Sequence, residues 1–125
     1  MPRVTPREFE ALVEQALRTV PAGFRRYLAD LVVDIEEEPD EQTCRELGVE
    51  DRRELLGLYH GRPLTERSVE ELLRWPERIV IYRSNILRMC RGRRQIVEQV
   101  RKTVLHEIGH HFGLTEEDLE ELGYG

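Results

Sequence analysis

From Arg93 to about Phe112 the sequence reads as one continuous helix, the longest in a chain of 125 residues. Ile96, Val97, Val100, Val104, Leu105 and Ile108 recur at helical spacing and give it a broad apolar face. A face that wide has to be covered by other elements, so this helix sets the frame into which the rest must fit. Gly113 follows directly and suits the left-handed position at which helices end. Thr115 can then cap a last helix, "EEDLEEL", that stops at Gly123.

The remaining elements alternate in type. Thr5-Pro6-Arg7-Glu8 carries a capping threonine, a proline at the first helical position and a glutamate that completes a capping box. Phe9, Leu12, Val13, Ala16 and Leu17 then form one stripe, predicting a helix to about Thr19. "FRRYLAD" (24–30) reads as a short second helix, Leu31 to Ile35 as a strand, and the acidic run "EEEPDEQ" as a solvated loop or helix start. "ELLGLYHG" (54–61) is a second strand, "SVEELLRW" (68–75) a short helix capped by Ser68, and "RIVIYR" (78–83) the clearest strand. No internal repeat or long linker interrupts this order. It predicts one domain, residues 1–125, of the α+β class.

Composition narrows the function classes. Hydrophobic residues make up 39% and charged residues 35%, with a net charge of -6. The acidic balance argues against a general nucleic-acid binder, despite the basic cluster "LRMCRGRR" (87–94), which reads as a solvated turn leading into the long helix. No apolar run approaches the roughly 18 residues of a membrane span. The first 15 residues are too charged for a signal peptide, so a cytoplasmic protein is expected. Cys44 and Cys90 form no C-x-x-C pair and are expected as free thiols. No heptad marks an oligomer seam, and a homodimer stays open.

The long helix carries "HEIGHHFG" near its end. With about 100° per residue, His106 and His110 share a face, where two imidazoles can bind one Zn²⁺. Glu107 points to the side of that face. A carboxylate there can take a proton from a metal-bound water and pass it to a leaving amine, while the metal polarises the carbonyl under attack. Gly109 inside the helix is unfavourable by about 0.5–1 kcal/mol against alanine, so a packing or close-approach reason is expected for it. Gly113, three residues after His110, extends the pattern to H-E-x-x-H-x-x-G and can return a third ligand to the metal.

In the metzincin pattern that third ligand is a histidine three residues beyond the glycine. Here the position holds Glu116, an acceptable zinc ligand. Glu116 equally suits the first turn of a helix for dipole reasons, and Glu117 and Asp118 compete for the role. His111 lies one step off the metal face and reads as a surface or supporting residue, or as a substitute ligand. His60 reads as a strand-end surface residue.

"HEIGHHFGLTEEDLEELGYG", together with "LLGLYHGRPLTERS" and "PERIVIYR", resembles the small bacterial minimal zincin-like family over about residues 5–125. The resemblance implies a compact zincin fold, a small mixed sheet against the active-site helix, and a zinc metallopeptidase with one Zn²⁺ per chain acting on a peptide or protein. That family's pattern is similar to H-E-x-x-H-x-x-G-x-x-D, and Glu116 stands at the aspartate position. Both methionines, Met1 and Met89, precede the motif, so no methionine turn follows it. Tyr124 matches a C-terminal aromatic that takes that supporting place in the family. "RIVIYR" fits the family's edge strand above the helix, where a substrate peptide would pair. The unusual third ligand also fits a second reading, a non-catalytic zincin scaffold with a weak or vacant metal site that acts through protein contacts.

Overall fold

A computed structural model describes residues 1–29, 31–60 and 77–121. Among these are six α-helices and three strands, an α+β domain as expected. The expected helix over 68–75 lies outside the described residues.

Helix α1 (Pro6–Arg18) begins as the sequence predicts: Thr5 accepts from the Glu8 amide, the Glu8 carboxylate accepts from the Thr5 amide, and Pro6 leads the first turn. Such a cap stabilises a helix by about 1 kcal/mol. A 3-10 turn at Ala22–Phe24 leads into α2 (Arg25–Leu28), shorter than "FRRYLAD" suggested. Strand β1 (Val32–Glu36) follows. The acidic run after it is, as expected, a largely exposed loop leading into a helix start. Glu37 pairs with Arg83 at 2.6 Å, Glu38 pairs with Arg88, and Asp40 caps α3 (Glu41–Leu47) by accepting from the Thr43 amide.

The second expected strand contracts to β2 (Gly57–His60), because Arg52–Glu54 forms a 3-10 turn with Asp51 accepting from the Arg53 amide. Strand β3 (Arg78–Tyr82) runs straight into α4 (Arg83–Met89). Helix α5 (Arg93–His111) is the long helix, and α6 (Glu116–Glu121) is the last described element.

The sheet order is β1-β3-β2, with β1 parallel and β2 antiparallel to β3. This corrects the expectation that "RIVIYR" is the edge strand. Ile79, Val80, Ile81 and Tyr82 are buried in succession, so β3 is covered on both faces as well as paired on both sides. A near-continuous apolar run belongs to such a central strand, whereas a half-exposed one alternates. Among the described residues, the edge strand beside α5 is β2.

The core joins one face of α1 (Phe9, Leu12, Val13, Ala16), the inner face of β3 (Ile79, Ile81), α4 (Ile86, Leu87) and the apolar side of α5 (Ile96, Val100, Val104, Leu105, Ile108). Cys44 and Cys90 are both buried and unbridged. Asn85, also buried, donates to the carbonyls of Arg52 and Leu55 at 2.8 and 2.6 Å, which ties the lead-in of β2 to α4. Among the described residues no helix is long and apolar enough to cross a membrane.

Candidate metal centre

The motif occupies the last two turns of α5. His106, His110 and His111 are exposed there, and Glu107 is half-buried. The His106 and His110 rings project side by side, 6.4 Å between centroids and tilted by 54°. The i, i+4 spacing therefore gives what the sequence predicted, two imidazoles on one solvent-facing side.

Strand β2 supplies the other wall. Gly57 makes its close approach possible: a Cβ there would stand 2.7 Å from the Thr103 methyl and 3.1 Å from the Val80 carbonyl. Thr103 cannot easily give way, since its hydroxyl is tied to the Gln99 carbonyl at 2.8 Å. The Tyr82 amide donates to the Leu56 carbonyl, which fixes the ladder phase: Leu56, Leu58 and His60 aim their backbone groups at β3. Gly57 and Tyr59 aim theirs outward. The Tyr59 amide accordingly donates to Glu107 Oε1 at 3.0 Å.

Two opposing influences meet on Glu107. Burial pushes its carboxyl above the ordinary range, and the Tyr59 hydrogen bond and the nearby histidines pull it back without cancelling the rise. The result is a carboxylate that holds a proton more readily than a surface glutamate, beside the two imidazoles of His106 and His110. That is the property a general base for water needs.

Tyr59 organises more than one group. Its ring stacks on His111 at 3.9 Å and 19°, and its hydroxyl donates to Glu77 Oε2 at 2.7 Å. Phe112 meets the His111 ring edge-on and lies 4.6 Å from the Tyr27 ring, so an aromatic row borders the motif. His111 is thus a supporting residue packed on β2. His60, by contrast, lies on the other face of the strand, its proton affinity lowered by burial and by Arg78.

Gly109 has the packing reason expected of it. A Cβ would meet a Leu119 methyl at 3.1 Å, so the glycine admits α6 against α5. Gly113 has a φ of 67°, and its amide and that of Leu114 close on the carbonyls of His110 and Gly109 at 3.3 and 2.8 Å, a Schellman turn. The chain does turn back after the motif. Thr115 then forms a capping box with Asp118, 2.8 and 3.1 Å, which engages the Asp118 carboxylate in the cap. Glu116 and Glu117 open α6 in the first turn. Among the described residues no three His, Cys, Asp or Glu side chains gather closely enough to hold a metal, so His106 and His110 are brought together but Glu116 is not joined to them. Tyr124 lies outside the described residues.

The donor chemistry fits zinc in part: two exposed imidazoles at helical spacing with a carboxylate of raised proton affinity beside them. Such a helix, seated against an edge strand of a small mixed sheet, defines the class of zincin-type folds. A family profile described as zincin-like metallopeptidase matches residues 28–125. The chain belongs to that family. A solved structure of a conserved hypothetical protein from Thermo thermophilus is similar to it, with 28% identity and a TM-score of 0.56 over 87% of this chain and 94% of that one. No curated protein matches.

Tyr59, Gly57 and Glu77 escaped the sequence reading. A glycine inside a strand signals close backbone approach, and alternation from Gly57 would have pointed to Tyr59 rather than His60 as the residue facing the helix.

Proposed function

We propose that this member of the family is a zinc-dependent peptidase in which Glu107 is the general base, acting on a peptide or protein chain in the cytoplasm. The observation that carries the reading is the half-buried Glu107, its proton affinity raised, beside the paired imidazoles and against an edge strand. His106 and His110 would hold the metal, with Glu116 as the third ligand. Bound zinc supplies acidification of a water and polarisation of the carbonyl under attack. Glu107 takes the proton of the attacking water and delivers it to the leaving amine. The Tyr59 amide fixes one carboxylate oxygen, and the His111–Tyr59 stack keeps β2 in place beside the helix.

The test is Glu107→Ala in zinc-loaded protein, followed with a peptide mixture and metal analysis. Hydrolysis falls about 10²–10⁴-fold while one zinc per chain is retained. Undiminished, chelator-sensitive hydrolysis in the variant refutes the assignment. The non-catalytic reading follows from Glu116, which stands where the family's pattern carries an aspartate and lengthens the reach of the third ligand. Protein purified without a histidine tag that stays metal-free in micromolar zinc decides for it.

A further inference from the structure

Strand β1 is the other edge of the sheet, separated by β3 from β2 and its contact with α5. The Val32 amide donates to the Glu77 carbonyl at 3.0 Å, which fixes the phase of the parallel ladder: Val32, Asp34 and Glu36 aim their backbone groups at β3. Val33 and Ile35 aim theirs the other way, and among the described residues neither finds a backbone partner there. Edge strands are ordinarily guarded by lysine, proline, a bulge or a covering element. Val32–Glu36 has none of the first three, and beside it runs an open groove of about 700 Å³. The groove touches Val33 and Ile35, which pack toward the core, and also Asp34, which turns to the opposite face and pairs with Arg78 at 3.0 Å. It therefore follows the edge of the strand. Helix α1 forms its other wall with Arg7, Glu10, Glu14 and Leu17, which share one face of that helix. Arg83 lines the same groove and keeps a buried Nε without an acceptor among the described residues, one more unmet donor.

We propose that this groove docks one extended segment of a partner protein, with apolar and basic residues in alternation, which adds to the sheet beside β1. Val33 and Ile35 supply the ladder, each offering one N–H and one carbonyl. The choice of a bare segment follows from α1. An added strand has to lie between β1 and that helix, whereas a second copy pairing through its own β1 brings its own α1 into the same space. The alternation follows from the two faces of β1. On one face an added strand meets the apolar side chains of Val33 and Ile35, with Leu17 across the groove. On the other it lies beside Asp34 and Glu36, where cations opposite carboxylates are favoured. Glu36, and Glu10 and Glu14 on the exposed side of α1, make no ion pair among the described residues. The docking goes beyond the peptidase reading and does not depend on it.

The test uses the full chain and three fluorescent probes of about seven residues: alternating lysine and valine, alternating glutamate and valine, and the lysine probe N-methylated at its valines, which removes their donors. Backbone amide exchange and fluorescence anisotropy are read in zinc and again in chelator. In the free protein Val33 and Ile35 exchange fast, while Asp34, bonded to β3, is slow. The lysine–valine probe slows Val33 and Ile35 at least about tenfold and binds at least about tenfold more tightly than the other two. The double variant Glu10→Lys and Glu14→Lys, which leaves the core untouched, weakens the lysine probe and strengthens the glutamate one.

Exchange at Val33 and Ile35 that no probe changes overturns the proposal. Binding that requires zinc does so too, because it places the probe at α5. Equal affinity for the lysine and glutamate probes removes the basic partner. Protection of both amides that rises with protein concentration alone, with a dimer seen by sedimentation, gives the edge to a second copy and overturns the bare segment.

Discussion

Glu107 is held by a neighbour 48 residues away, and that separation explains which parts of the site the sequence disclosed. His106, Glu107 and His110 are legible because helical spacing alone puts them together. Tyr59 is not, because only the packing of β2 on α5 brings its amide to the carboxylate. The same burial that tunes Glu107 has a consequence for stability. Its folded-state proton affinity lies above the ordinary value of 4.5, so the folded protein binds this proton more tightly than the unfolded chain. Stability contributed by the protonated group is therefore lost as pH rises from the ordinary glutamate range through the raised one. Glu107→Gln removes the charge and keeps an acceptor for Tyr59. It raises the melting temperature at pH 7 and leaves it unchanged near pH 3, read by differential scanning calorimetry. A gain of equal size at both values means that shape rather than charge is responsible.

Among the elements, local signals held where a helix could declare itself. The capping box of α1, the left-handed Gly113 and the span of α5 follow from contacts within a few residues. Strand order did not follow, because pairing is non-local. The apolar run of β3 was read as an edge through resemblance, although four buried residues in a row are the mark of a strand enclosed on both faces. Gly109 shows how a local anomaly can have a tertiary cause. It was legible as an unfavourable residue in a helix, and the Leu119 methyl 3.1 Å from its absent Cβ is the reason. Gly109→Val therefore drives a branched side chain into α6 and destabilises by about 1–3 kcal/mol in urea unfolding. Leu119→Ala, which empties a buried site, destabilises by about 2–5 kcal/mol. The double variant loses less than the sum, because each change relieves the other. Strict additivity within about 0.5 kcal/mol shows that the two residues do not share the contact.

At the scale of the whole molecule, α5 is both the spine of the core and the carrier of the two histidines proposed to hold the metal. The family match begins at residue 28, yet α1 lies before it and supplies Phe9, Leu12, Val13 and Ala16 to the core that holds α5. Folding and metal binding are thus linked through one helix: only the folded helix sets His106 and His110 one turn apart. A ligand that binds the folded state alone stabilises it by about 2.7 kcal/mol at a hundred times its dissociation constant. At roughly 2–8 °C per kcal/mol for domains near this size, zinc raises the melting temperature by on the order of 10 °C at that excess. His106→Ala and His110→Ala each remove most of the shift. Glu107→Ala leaves it intact, because the base is not a ligand. Glu116→Ala reduces it if the turn at Gly113 returns that carboxylate to the metal, and leaves it unchanged if two imidazoles carry the binding without it. A zinc shift that survives both histidine substitutions places the metal elsewhere and removes the ground for assigning α5 as the catalytic helix.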